Sequence, residues 1–117
     1  MSRSQGLAEV LYSRIVSDIR DASLTSSELA AITGVRERQV QNWAAGTSRP
    51  GGASRDRLLE VKYIVDLLKE VYTPEGIDIW VHARNRSLDG HRPIDLLKAG
   101  EFREVLNAVE RLTAGAS

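Results

Sequence analysis

The sequence predicts an all-α fold: an N-terminal helix-turn-helix joined by a long helix to a small C-terminal helical domain. Three observations predict it. Apolar residues recur at spacings of three and four along most of the chain, the period of helices with a buried face. No stretch alternates apolar and polar residues as a half-buried strand does. Ser, Thr, Pro and Gly punctuate the apolar runs at the points where helices start and stop.

Each element follows in order. Leu7, Val10 with Leu11, Ile15 and Ile19 read as one apolar stripe on a first helix. Ser23, Thr25, Ser26 and Ser27 interrupt it, and Ser26 or Ser27 can cap a second helix, from Glu28 to Ile32 or Thr33, by accepting from its free N–H groups. Gly34 supplies a turn. A third helix spans about 37–45, with Val40 and Trp43 as anchors and Gly46 as its stop. Residues 47–54 have loop composition. The fourth helix, from 53 or 54 to 72, carries Leu58, Val61, Val65, Leu68 and Tyr72, and Leu59, Ile64, Leu67 and Val71 widen that face. A helix so apolar must be covered on two sides, either as a spine joining both halves or as a dimer helix. Thr73-Pro74-Glu75 combines a cap, a proline at the first helical position and an acid in the first turn. The fifth helix then runs to about Ala83 and presents Ile77, Trp80 and Val81. Residues 85–92 are turn-rich around Asp89-Gly90. Pro93 opens a sixth helix with Ile94, Leu96 and Leu97, and Gly100 stops it. The seventh holds Phe102, Val105, Leu106, Val109 and Leu112, and 113–117 form a small, uncharged tail. The division is 1–52 for the helix-turn-helix and 53–117 for the connecting helix and C-terminal domain.

Composition excludes several function classes. The 117 residues are 42% hydrophobic and 27% charged, an ordinary soluble composition, and there is no cysteine for a disulfide, a thiolate zinc site or a nucleophile. No apolar run reaches the roughly 20 residues of a membrane span, and no apolar core follows the N-terminus, so a cytoplasmic location is expected. His82 and His91 lack the further ligands a metal site needs, and no nucleophile elbow or phosphate loop is present. The expectation is a non-enzyme without a cofactor. Net charge is zero, but residues 36–57 carry five arginines against Glu37 and Asp56, while residues 58–117 carry 8 basic and 10 acidic residues. A basic stretch followed by an acidic half suggests two different partners.

The basic stretch lies on the helix-turn-helix. Leu29 and Ala30 face inward, Gly34 makes the turn, Val35 plugs beneath it, and Val40 and Trp43 anchor the second helix. Arg36, Arg38, Gln39, Gln41 and Asn42 are left outward at the end that enters the major groove in such motifs. Arg can grip guanine through two bonds and Gln or Asn can pair with adenine, so Arg38, Gln41 and Asn42 suit base contacts. Arg36, Gln39 and Arg49 suit phosphates. Glu37 opposes phosphate binding, and a neutral monomer binds DNA weakly. Apolar residues on more than one face of the fourth helix predict a homodimer.

The order of motifs carries a resemblance. The helix-turn-helix is followed by Trp80, then by Asn85-x-x-Leu88-x-Gly90-x-x-Pro93-x-Asp95-Leu96-Leu97, then by a final helix and a short tail with a glycine. Over about residues 25–117 this resembles the Xre/MbcA/ParS-type antitoxin family. Arg84 stands where the family often has proline before the Asn, and Arg36 stands where Ser or Thr is the usual cap. The resemblance implies an antitoxin that binds a RES-domain toxin, an enzyme that degrades NAD, with operator DNA and self-association in a higher-order complex as further interactions. It implies a toxin-facing surface from Asn85, Leu88 and Gly90 in the turn, Arg103 and Arg111 on the last helix, and Ala114, Gly115, Ala116 and Ser117 in a tail that closes the toxin's active-site entrance. The rival reading is a stand-alone helix-turn-helix transcription regulator whose C-terminal half only dimerises.

Overall fold

A computed structural model of the chain describes residues 3–115, with side chains from residue 6 onward. It contains α1 (Arg3–Asp21), α2 (Ser26–Thr33), α3 (Glu37–Ala45), α4 (Gly52–Lys69), α5 (Pro74–His82), a 3-10 turn (Arg86–Leu88), α6 (Pro93–Lys98) and α7 (Phe102–Gly115). The fold is all-α. Among the described residues the only extended pairing is an isolated antiparallel bridge between Asn85 and His91.

The helix boundaries follow from local chemistry. The cap of α2 is Thr25, one residue before the expected serines. Its Oγ1 accepts from the Glu28 N–H at 3.0 Å, and the Glu28 carboxylate accepts from the Thr25 N–H at 2.9 Å. Gly34 and Gly46 end α2 and α3 at φ 78° and 76°, a conformation that strains any residue with a Cβ. Helix α4 stops at Lys69, three residues before the expected end at Tyr72. Pro74 disfavours helical geometry at Thr73, which sits extended at ψ 168°, so the apolar run through Val71 and Tyr72 leaves the helix before it ends. Helix α7 runs through Gly115, so Thr113, Ala114 and Gly115 belong to its last turn and not to a separate tail.

Helix α4 is the spine. It packs against α1, α2, α5 and α7 and buries Leu58, Val61, Ile64, Val65 and Leu68. Most of its apolar surface is therefore used within one chain, while Leu59 and Tyr63 stay exposed. A single core runs from Val16 on α1 to Val109 on α7 and includes Leu29, Val40, Trp43, Ile77 and Ile94. Full burial of each large aliphatic side chain contributes about 1.5–3 kcal/mol.

The expected single stripe on α1 does not form. Val16 and Ile19 are buried, and Tyr12 and Ile15 pack partly against the core, but Leu7, Val10 and Leu11 are 69%, 60% and 59% exposed. Steps of four residues advance a helical position by about 40° beyond a full turn, so a Leu7–Leu11–Ile15–Ile19 series spirals away from the core face. The result is a helix with an inner apolar face toward its C-terminus and an uncovered one near its N-terminus.

Besides the packing of α2 on α6, side-chain hydrogen bonds tie the N-terminal half to α5. Ser23, at the left-handed φ of 85°, donates from Oγ to the Pro74 carbonyl at 2.9 Å. His82 at the end of α5 meets Glu28 on α2 at 2.6 Å.

Candidate functional site

The first candidate surface is built on α3. Val40 and Trp43, 0% and 1% exposed, fix the helix against the core and set which residues face outward. Arg36, at the N-terminal boundary, is exposed, and its guanidinium, which has no acceptor, does not cap the helix. A groove of ≈ 400 Å³ is lined by Arg36, Arg38, Gln39, Asn42 and Arg49 together with loop residues Pro50 and Gly51 and Ser54 of α4. It thus brings together five of the six residues expected to touch DNA. Gln41 is exposed on the same helix but outside that lining. Gln39 is partly committed, since its amide donates to Ser48 Oγ at 3.2 Å and ties α3 to the following loop. Not all of the basic stretch faces outward. Arg57 donates from Nη1 to the Ile32 carbonyl at 3.2 Å and so satisfies the C-terminal end of α2. Trp43 contributes to the groove lining, and its buried indole N–H has no protein acceptor.

The second candidate surface surrounds the turn between α5 and α6. Asn85 organises it. Its Oδ1 accepts from the Ser87 N–H at 2.9 Å and from Ser87 Oγ at 2.7 Å, and its carbonyl accepts from the N–H groups of Leu88 and Gly90. Asp89 and Gly90 close the turn in the left-handed region at φ 55° and 81°. Leu88 is 5% exposed, anchored where the turn meets α7, so it holds the turn in place and presents little surface of its own. Arg111 joins Ser87, Asp89, Glu104 and Asn107 around a polar depression of ≈ 260 Å³. Arg103 is exposed on α7 but not part of that depression. Helix α7 is held by Val105, Ala108 and Val109 and ends in exposed Ala114 and Gly115. The expected contacts at Ala116 and Ser117 lie outside the described residues.

Between these surfaces lies an ion-paired contact. Burial alone raises the Glu28 pKa, but hydrogen bonds from the Thr25 N–H and from His82 outweigh it and hold the carboxyl below its ordinary range. Burial alone lowers the His82 pKa, but the Glu28 and Asp78 contacts outweigh it and raise it. Both ring nitrogens face acceptors: Nε2 faces Glu28 Oε2 at 2.6 Å, and Nδ1 faces the Asp78 carbonyl at 2.8 Å. Only the doubly protonated imidazolium can donate to both. Among the described residues no group of three or more His, Cys, Asp or Glu side chains is arranged to hold a metal ion, and no helix is long and apolar enough to cross a membrane.

Sequence reasoning missed a third feature. An apolar groove of ≈ 300 Å³ runs between Tyr72 and α5, lined by Gly76, Ile79, Trp80, Ala83, Arg84 and Asn85. The available signal was Ile79, an isoleucine between the core positions Ile77 and Val81 and out of phase with both.

Comparison with known proteins places these features in context. Residues 67–115 match the family model described as the antitoxin Xre/MbcA/ParS C-terminal toxin-binding domain. The chain is 38% identical over 104 residues to the probable mycobacterial cidal antitoxin Rv3188 of Mycobacterium tuberculosis, covering 89% of each chain. It is 32% identical over 106 residues to the mycobacterial cidal antitoxin MbcA of the same species, covering 91% of this chain and 94% of MbcA. A chain in the crystal structure of the M. tuberculosis MbcT–MbcA toxin–antitoxin complex superimposes with a TM-score of 0.78 at 31% identity, covering 92% of this chain and 97% of that one.

Proposed function

The chain belongs to the Xre/MbcA/ParS antitoxin family, and from that premise we propose that it neutralises a RES-domain, NAD-degrading toxin by blocking the toxin's active-site entrance with its C-terminal end. The observation that carries this reading is the form of α7. It is fixed by Val105, Ala108 and Val109, and its last turn bears only the small residues Thr113, Ala114 and Gly115. A rigid helix tapering to small, uncharged residues can enter a narrow cleft without desolvating a charged side chain. Arg103 and Arg111 make rim contacts, and the Asn85–Gly90 turn forms the adjoining surface. The protein acts by binding and not by catalysis, in the cytoplasm where the toxin's substrate is found.

The N-terminal half, residues 1–52, serves operator DNA and self-association, and residues 53–117 serve the toxin. Because one core runs through both, these are functional regions of a single folding unit. Arg38, Gln41 and Asn42 read bases, while Arg36, Gln39 and Arg49 hold phosphates. Homodimerisation uses α1, where Leu7, Val10 and Leu11 lack cover and are more exposed than Leu59 and Tyr63 on α4. A dimer, and above it a higher-order complex with toxin, presents several recognition helices together, which offsets the weak binding of a neutral monomer.

Deletion of residues 113–117 tests the blocking mechanism. It removes the end of α7 beyond the buried Val109. The truncated chain is expected to fold and to bind the toxin, while NAD consumption by the toxin returns. Undiminished inhibition by the truncated chain refutes the blocking mechanism and moves inhibition to the helical surface.

A further inference from the structure

We propose that the groove between Tyr72 and α5 receives an apolar side chain of the toxin, with the Arg84 guanidinium at its rim meeting a carboxylate beside that side chain. The inference rests on the toxin being the partner of the C-terminal region and extends the contact to a surface away from α7.

The groove is a product of construction. Ile77 and Val81, 0% and 1% exposed, fix α5 on the core, and Ile79 between them is turned outward and 70% exposed. Trp80 and Tyr72 pack partly on the core and leave their remaining surface to the groove. Gly76 lets Tyr72 lie close over the start of α5: a Cβ there would meet Tyr72 Cβ at 3.1 Å and its ring at 3.3 Å. Arg84 and Asn85 add polar groups to the lining. Arg84 donates from Nη1 to the Gly90 carbonyl at 3.3 Å, which orients the guanidinium and leaves further donors of its fork for a carboxylate.

The occupant follows from position and charge. The groove lies wholly within residues 67–115, the toxin-binding match, and it is continuous with Asn85, which organises the turn of the proposed toxin surface. The chain's own uncovered apolar residues on α1 lie outside that match. An apolar pocket with a positively charged rim selects a partner segment that pairs one large apolar side chain with an acid, the form of contact that concentrates binding energy at an interface.

The test uses the full-length chain and a purified RES-domain toxin. Ile79→Glu is expected to weaken toxin binding by about tenfold or more in a calorimetric titration, with unchanged helical content and oligomeric state. Arg84→Glu is expected to weaken it by a few fold, with the loss shrinking at high salt, and it carries the test if Ile79→Glu disturbs folding. Wild-type binding with both variants unimpaired refutes the groove contact alone. A changed oligomeric state with toxin affinity intact makes a second copy the occupant and refutes the proposal. Failure of the wild-type chain to bind that toxin refutes the antitoxin reading itself, and the groove's occupant with it.

Discussion

Replacing Glu28 with alanine removes one side chain that does two jobs. Its carboxylate accepts from the Thr25 N–H and so closes the capping box of α2, and it pairs with His82 across 54 positions of sequence. Loss of the capping contact costs about 1 kcal/mol. Loss of the partly buried charged hydrogen bond costs about 1 kcal/mol more. Near pH 5.5 the total of about 2 kcal/mol lowers Tm by roughly 8 °C in a chain of this size. The pH dependence follows from the shifts. His82 has a raised pKa, so its contribution is full below its ordinary value of 6.5 and fades as pH rises through the raised value. Glu28 has a lowered pKa, so its contribution is full above its ordinary value of 4.5 and fades as pH falls through the lowered value. The pair therefore stabilises most between those two ordinary values. As pH rises through the raised value His82 loses its charge and can donate from one nitrogen only, so Glu28→Ala should cost less at about pH 9 than near pH 5.5. The assay is thermal unfolding of wild type, Glu28→Ala, His82→Ala and the double variant at both pH values. A positive coupling energy near pH 5.5 that shrinks at about pH 9 supports the reasoning. Strict additivity at both pH values refutes it.

Further outcomes are expected. Arg38→Ala and Asn42→Ala should each weaken binding to the chain's own promoter by about 1–3 kcal/mol with little effect on random DNA, measured by fluorescence anisotropy. Arg36→Ala and Arg49→Ala should weaken both DNAs alike and reduce the salt slope by about 1 each. Leu11→Glu should turn a dimer into a monomer in sedimentation at micromolar concentration without loss of helical signal; a variant that remains dimeric removes α1 from the interface.

Much of the fold was legible because its boundaries carry their own chemistry. Gly34, Gly46, Pro74, Pro93 and Gly100 each mark an end that the structure keeps, and the bounds of α3 and α6 follow from them. The cap of α2 was less legible, since Thr25, Ser26 and Ser27 can all accept, and only the reciprocal bond from Glu28 selects Thr25. The end of α4 was hidden by Val71 and Tyr72, which continue its apolar rhythm beyond its last residue, Lys69. Leu7 and Leu11 misled because repeated steps of four drift around the helix, so these residues leave the face on which Ile19 is buried. On α3 the outward residues were readable because buried Val40 and Trp43 leave a fixed remainder. The ≈ 300 Å³ groove was signalled only by the out-of-phase Ile79, because its lining comes together only where Tyr72 lies over the start of α5. The Glu28–His82 contact was out of reach, being a meeting of two surface-type residues on helices that pack only in the finished fold.

The central claim is that this chain switches off an NAD-degrading toxin by binding it. Titrating a purified RES-domain toxin with the full-length chain, while following NAD consumption, tests it most directly. The account predicts that consumption falls to the background rate as the chain reaches a fixed molar ratio, with toxin and antitoxin eluting together. Undiminished NAD consumption in the presence of excess folded chain would contradict it.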